Sequence, residues 1–251
     1  RAIEYYAAKA KGGCGLVIVG YIAVVGPELG GIAMSGETHL RTLNDRHAMS
    51  ILAERVHEYG SKVFCQLNHP GRKTAPEYKG HSPVSATALP SKMVGKTAPC
   101  HELTVDEIHQ IEEGFANGAE HAWKAGCDGV EIHCGHFYLM SQFISPIRNE
   151  RTDEYGGSME NRCRIVVETV QKIRERVPAN FPVTCRIHLF DGEGYEGENT
   201  VEDMVEVAKY LEANGVDAFN TTIGSVDRTG SPEMKAGWRN EYYKKFKAAL
   251  H

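Results

Sequence analysis

Apolar positions along this chain follow two spacings in turn, one near 3.6 residues and one of 2. Arg1 to Lys11 has the helical spacing, and Gly12-Gly13 ends it. Leu16 to Val19 is a short β-branched run of buried-strand type. Asp45 to Tyr59 reads as an amphipathic helix closed by Gly60, and Lys62 to Leu67 as the next strand. Thr104 stands three residues before Glu107, a capping-box spacing, so a helix is expected from there to about Ala125. Asp128 to His133 is then a strand, Ser158 to Val177 a helix, and Pro182 to His188 a strand. Thr200 to Asn214 is a helix ended by Gly215, Asp217 to Thr221 a strand, and Tyr242 to Leu250 a last helical piece.

Strict alternation of five strands with six helices predicts an α/β fold on a parallel sheet. The strands are short and apolar, as strands covered on both faces are. A closed (β/α)8 TIM barrel takes eight strands in roughly 250 residues. With five legible, the pattern predicts an incomplete barrel, a single partial domain over 1–251. One strand is expected before Arg1, which is not a Met, and two βα units after His251. No repeat, low-complexity stretch or linker divides the chain. Two long connections, Asn68 to Leu103 and Cys134 to Gly157, both follow strands and so share one face of the sheet. Connections of that length in a compact domain usually carry function.

Charge and composition narrow the partners. The formal charge of −5 gives no reason to expect nucleic acid or an anionic membrane. No apolar run approaches the roughly 18 residues of a membrane span, and no signal-peptide pattern is present. Seven scattered cysteines without a C-x-x-C pair argue for a reducing cytoplasm, against a disulfide framework and against a structural zinc site.

The candidate chemistry lies at strand ends. Alternation turns Gly129, Glu131 and His133 to one side of their strand, and Val130 and Ile132 to the other. In Pro182 to His188 the same logic sends Thr184, Arg186 and His188 inward, and in Lys62 to Leu67 it sends Gln66. Asn220 joins them. An inward Arg is costly unless an anion or strong acceptor meets it. A buried network linking Arg186 to Glu131 is one reading; an active site at the strand ends is the other. His133 and His136 have a chelating spacing, and His188 is the one attractive third ligand for zinc. Tyr138 beside two imidazoles is a credible proton donor. The TDEYGG turn reads as structural, with Asp153 caging it and Gly156-Gly157 supplying positive φ. No G-x-G-x-x-G opens a helix, so a Rossmann site is not expected.

The stretch from His133 to Arg164 runs H-x-x-H-x-Y-L, QF-x-SP, then N-x-RTD-x-YGGS-x-ENR-x-R. With GLVIVGYIAVVGPE, QLNHPGR, ELTVDEI and the strand carrying Arg186, it closely resembles the Old Yellow Enzyme family of FMN-dependent oxidoreductases. The likeness is to the bacterial branch of 2,4-dienoyl-CoA reductase and bile-acid enoate reductases. The pieces lie in family order over nearly the whole chain. The resemblance implies a TIM barrel holding FMN at its mouth. Gln66 would bond the flavin pyrimidine edge, Arg186 would sit by N1 and O2, and Tyr21 stands where the family's backbone touches the flavin. His133 and His136 would grip the substrate carbonyl, and Tyr138 would deliver a proton. The implied reaction reduces an activated C=C bond of an enone or enoyl-CoA-like small molecule, with NADH or NADPH reducing the FMN. Larger relatives add 4Fe-4S and FAD domains, which would lie beyond His251. The expected setting is cytoplasmic, without nucleic acid or membrane, and a homo-oligomer is allowed.

Three positions depart from the family. Position 21 is usually small and here is Tyr21; position 137 is usually Gly and here is Phe137. Val226 stands where dienoyl-CoA reductases place a His, so the His pair points to an enone carbonyl instead. Two other readings stay open: a barrel fragment that binds no flavin, and a metal-dependent hydrolase on His133, His136 and His188.

Overall fold

The computed structural model describes residues 1–33, 36–74, 80–89, 91–93, 96–192, 195–223 and 237–250; Val226 lies outside them. Five strands, β1 (Leu16–Ala23), β2 (Lys62–Asn68), β3 (Gly129–Cys134), β4 (Val183–His188) and β5 (Ala218–Thr222), form one parallel sheet in chain order. The connecting helices are α1 (Ala2–Lys11), α2 (Leu43–His57), α3 (Val105–Lys124), α5 (Met159–Arg174), α6 (Val201–Ala213) and α7 (Asn240–Ala249). A short helix, α4 (Leu139–Ile144), follows β3. This is the βα alternation of a barrel, and among the described residues the sheet is open between β1 and β5.

Helix starts follow the capping chemistry. Thr104 accepts from Glu107 N–H, and the Glu107 carboxylate accepts from Thr104 N–H. Thr42 with Asp45 and Thr200 with Asp203 make the same reciprocal pair, so α2 begins at Leu43, two residues before the position expected from its pattern. Such a cap stabilises a helix by about 1 kcal/mol.

The outward faces of β2, β3 and β4 are fully apolar. Val63, Cys65, Leu67, Val130, Ile132, Val183, Cys185 and Ile187 all have no exposed surface and join the helices in one core. Each large side chain there contributes roughly 1.5–3 kcal/mol by leaving water.

The structure corrects the sequence expectations in three places. β1 runs on to Ala23, with an irregular register between Val19 and Ile22. The connection after β2 is not plain loop: Val84–Ser85 pairs with His101–Glu102, and Ser91–Met93 with Lys96–Ala98. The connection after β3 contains α4, whose six residues are all buried. Seven helices are therefore present among the described residues, not six.

Arg151 fastens the two long connections together. Its guanidinium donates to Ala86 O (3.0 Å), to Leu103 O (2.6 Å) and to the Asp153 carboxylate. Asp153 also accepts from Tyr155 N–H, as a caging residue should. The paired glycines differ in role. Gly157 takes φ 81°, while a Cβ on Gly156 would fall 2.1 Å from Arg151 O.

Candidate active site

Inside the sheet the alternating positions toward the ends of β2 to β5 are polar. Register sets Gln66 beside Glu131 and Thr184, and one layer nearer the strand ends it sets His133 beside Arg186 and Asn220. Gln66 Nε2 donates to Glu131 Oε1 at 2.7 Å, and the Asn220 side chain donates to the same carboxylate. Burial raises the Glu131 carboxyl; the bonds from Gln66 and Asn220 and the charge of Arg186 oppose that rise. A buried hydrogen-bond network thus joins Gln66 and Asn220 to Glu131, with Arg186 acting on it through its charge, and these four side chains line a cavity.

Beyond β3 the chain makes a strained turn. His136 and Phe137 take φ 56° and 53°, in the left-handed region that side chains with a Cβ seldom adopt. Every carbonyl of the turn is taken. Gly135 O accepts from Tyr138 N–H and Ser141 Oγ, His136 O from Lys73 Nζ (2.6 Å), and Phe137 O from Gln142 Nε2 (2.7 Å). Gln142 in turn lies against Gly71, where a Cβ would come within 2.7 Å of its amide. The HPGR loop and α4 thus hold the two histidines in place.

Their tautomers follow from the neighbours. Gly135 N–H donates to His133 Nδ1 at 3.2 Å, so the imidazole proton sits on Nε2. That nitrogen lies 3.3 Å from His136 Nδ1, and His136 Nε2 lies 3.0 Å from Thr222 Oγ1. Both Nε2–H groups therefore have acceptors within the cluster, His133 donating to His136 Nδ1 and His136 to Thr222 Oγ1. Both rings stay neutral. Burial drives His133 well below the usual imidazole range, helped by His136 and Arg186, and burial with Arg186 and Lys73 takes His136 down to about 4.

Tyr138 completes the group. Its ring centre is 4.9 Å from that of His133 and 6.4 Å from that of His136, both edge-on. Tyr21 lies 5.5 Å away on the other side and donates its phenol hydrogen to the Tyr138 oxygen. Burial raises both phenols, with Glu37 adding to the rise, so both hold their protons at neutral pH.

The six residues singled out in the sequence, Tyr21, Gln66, His133, His136, Tyr138 and Arg186, line one cavity of about 510 Å³. His188 does not join the pair. It is fully buried, with its ring 5.4 Å from Phe137 and Nε2 2.8 Å from the Asp191 carboxylate. The metal-hydrolase reading loses its third ligand, and among the described residues no group of three metal-binding side chains includes His133 or His136. Sequence reasoning missed Thr222 and Lys73, the partners of His136. Neither carries a local signal, because each meets the histidine only across the fold.

Residues 1–248 match the model of the NADH:flavin oxidoreductase / NADH oxidase family. The chain belongs to that family. It is 38% identical over 243 residues to a cinnamate reductase of Clostridium sporogenes, covering 90% of this chain and 36% of that protein. A structure of a 2-naphthoyl-CoA reductase with 2-naphthoyl-CoA superposes with TM-score 0.87 at 30% identity, over 99% of this chain and 39% of that one. The old yellow enzyme homologue of Zymomonas mobilis superposes with TM-score 0.79 at 25% identity, over 100% and 70%. The chain thus spans a little over a third of the first two proteins.

Within this NADH:flavin oxidoreductase family frame, two departures now have physical accounts. Position 137 sits at positive φ, which a Gly adopts freely; Phe137 takes it at a cost of order 1–2 kcal/mol, with its buried ring against His188. Tyr21 was expected to meet a cofactor through its backbone. Its side chain meets the phenol of Tyr138, a contact that a small residue there would lack.

Proposed function

We propose that this chain is the flavin-binding barrel portion of an FMN-dependent ene-reductase. It reduces the activated C=C bond of an enone or enoyl thioester, with NADH or NADPH as electron source. The observation that carries the reading is the convergence of two neutral imidazoles and a protonated phenol on one cavity above an inward Arg. The relatives named for cinnamate and 2-naphthoyl-CoA support a substrate with a C=C bond conjugated to a carbonyl.

The donor set suits a flavin. Gln66 offers an amide C=O and N–H side by side, and Arg186 brings a fixed positive charge to the same wall. A Cβ at Gly20 would fall 2.7 Å from Gln66 Oε1, so a larger residue there would push this amide out of its position. The volume is in the range of small-molecule sites. Gln66 and Arg186 would hold FMN, which when bound supplies hydride to the substrate. On substrate binding His133 and His136 would turn their Nε2–H groups from His136 Nδ1 and Thr222 Oγ1 to the substrate carbonyl oxygen and stabilise the negative charge that develops there, worth about 3 kcal/mol per donor. Neutral rings suit this role, because they donate without passing on a proton. Tyr138 holds the proton that goes to the α-carbon. In this reading the open sheet is five-eighths of a closed barrel, completed by a strand beside β1 and two more beside β5.

The test is a protein carrying the whole barrel, purified and given FMN. Flavin absorption that persists through desalting, with NAD(P)H-dependent reduction of enones or cinnamate-type substrates, is the expected result. A complete barrel that stays colourless in excess FMN would sink the reading.

A further inference from the structure

In the helical layer outside the sheet, α3 and α5 enclose a carboxylate that no hydrogen-bond donor satisfies. Glu112 of α3 has no exposed surface, and neither of its oxygens has a donor within hydrogen-bond reach. His109 lies one helical turn earlier on the same face, and Glu168 faces both from α5. One ligand atom from each of the three lies within 4.8 Å of the others. Burial and the facing Glu168 push the Glu112 carboxyl up to about 9, so without a metal a proton lies between the two carboxyl groups at neutral pH. Something positive belongs between them.

Arg164 stands 3.8 Å from the Oε1 of Glu168, and Lys172, the cation nearest Glu112, is drawn elsewhere. Its Nζ stands 4.0 Å from Glu112 Oε2 but 3.1 Å from Glu113 Oε1. Glu168, by contrast, is already oriented: the Tyr155 hydroxyl donates to its Oε2 at 2.6 Å. A carboxylate aimed by a hydrogen bond from behind is how metal sites hold their ligands.

We propose that His109, Glu112 and Glu168 bind one divalent transition ion of the zinc class, which ties α3 to α5. The donor set selects the class. One imidazole with two carboxylates suits zinc and its neighbours, whereas magnesium and calcium prefer oxygen alone. Three protein ligands leave a position for water on the exposed His109 side. The site stands on its own residues and is independent of the flavin reading.

The test uses the whole chain, stripped with a chelator and titrated with Zn²⁺ by calorimetry, with melting curves alongside. The expected result is one saturable ion per chain and a raised Tm. Glu112→Gln keeps the shape of the side chain, and His109→Ala changes an exposed residue; each should weaken binding by more than about tenfold. Tyr155→Phe should weaken it about tenfold while leaving all three ligands in place. A wild-type chain that takes up no zinc overturns the proposal. So does zinc binding that Glu112→Gln and His109→Ala leave unchanged, since that ion would sit elsewhere.

Discussion

The two faces of β3 and β4 make opposite use of the same backbone. Outward, Val130, Ile132, Val183, Cys185 and Ile187 are sealed under helices. Inward, Glu131, His133, Thr184 and Arg186 are polar, and burial raises the Glu131 carboxyl and lowers the His133 imidazole. The outward face supplies the free energy that lets the inward face stay polar and strained. Stability and chemistry are thus separated by one residue of alternation, and substitutions on the two faces should fail in different ways.

The sharpest separation comes from Tyr138→Phe. In the flavin-loaded complete protein, alkene reduction should fall by about 10²–10⁴-fold, while the melting temperature stays within a few degrees. An unchanged rate would remove Tyr138 from the chemistry. On the other face, Ile132→Ala should cost about 3 kcal/mol in urea unfolding by opening a cavity in the sealed core. Flavin affinity at low urea should survive it.

Acid separates the faces next. His136 binds a proton more weakly folded than unfolded, because its value lies at about 4 against an ordinary 6.5. Stability therefore falls as pH drops below about 6.5, and the loss is complete below about 4. Allowing for partial exposure, this should amount to roughly 2 kcal/mol, and His136→Asn should flatten that part of the stability–pH curve. Any slope that persists in the variant comes from His69, buried and also at about 4, and from His133, held well below its ordinary range by burial.

The smallest effect is expected at Tyr21→Phe. The Tyr138 phenol loses a donor that now holds it down, so it should titrate higher in ultraviolet difference spectra. Alkene reduction should change by less than about tenfold, since Tyr138 keeps its own proton.

Much of this was legible from residue order. Helix caps such as Thr104 with Glu107 and the inward set Gln66, Glu131 and Arg186 follow from local spacing alone. The helix Leu139–Ile144 was not legible, because all six of its residues are buried and no polar stripe marks a helical period. Glu112 also escaped, since a glutamate in an amphipathic helix reads as solvated until the facing helix is known.

The sequence by itself determined the βα order, the two faces of each strand and the family, because periodicity, caps and motifs act within a few residues. Only the tertiary structure decided that Tyr21 would reach Tyr138, that Thr222 would meet His136 across 86 residues, and that His188 would turn to Asp191. Those meetings depend on strand register and on how helices seat against the sheet. Both are settled by packing of the whole core, which no local stretch of sequence contains.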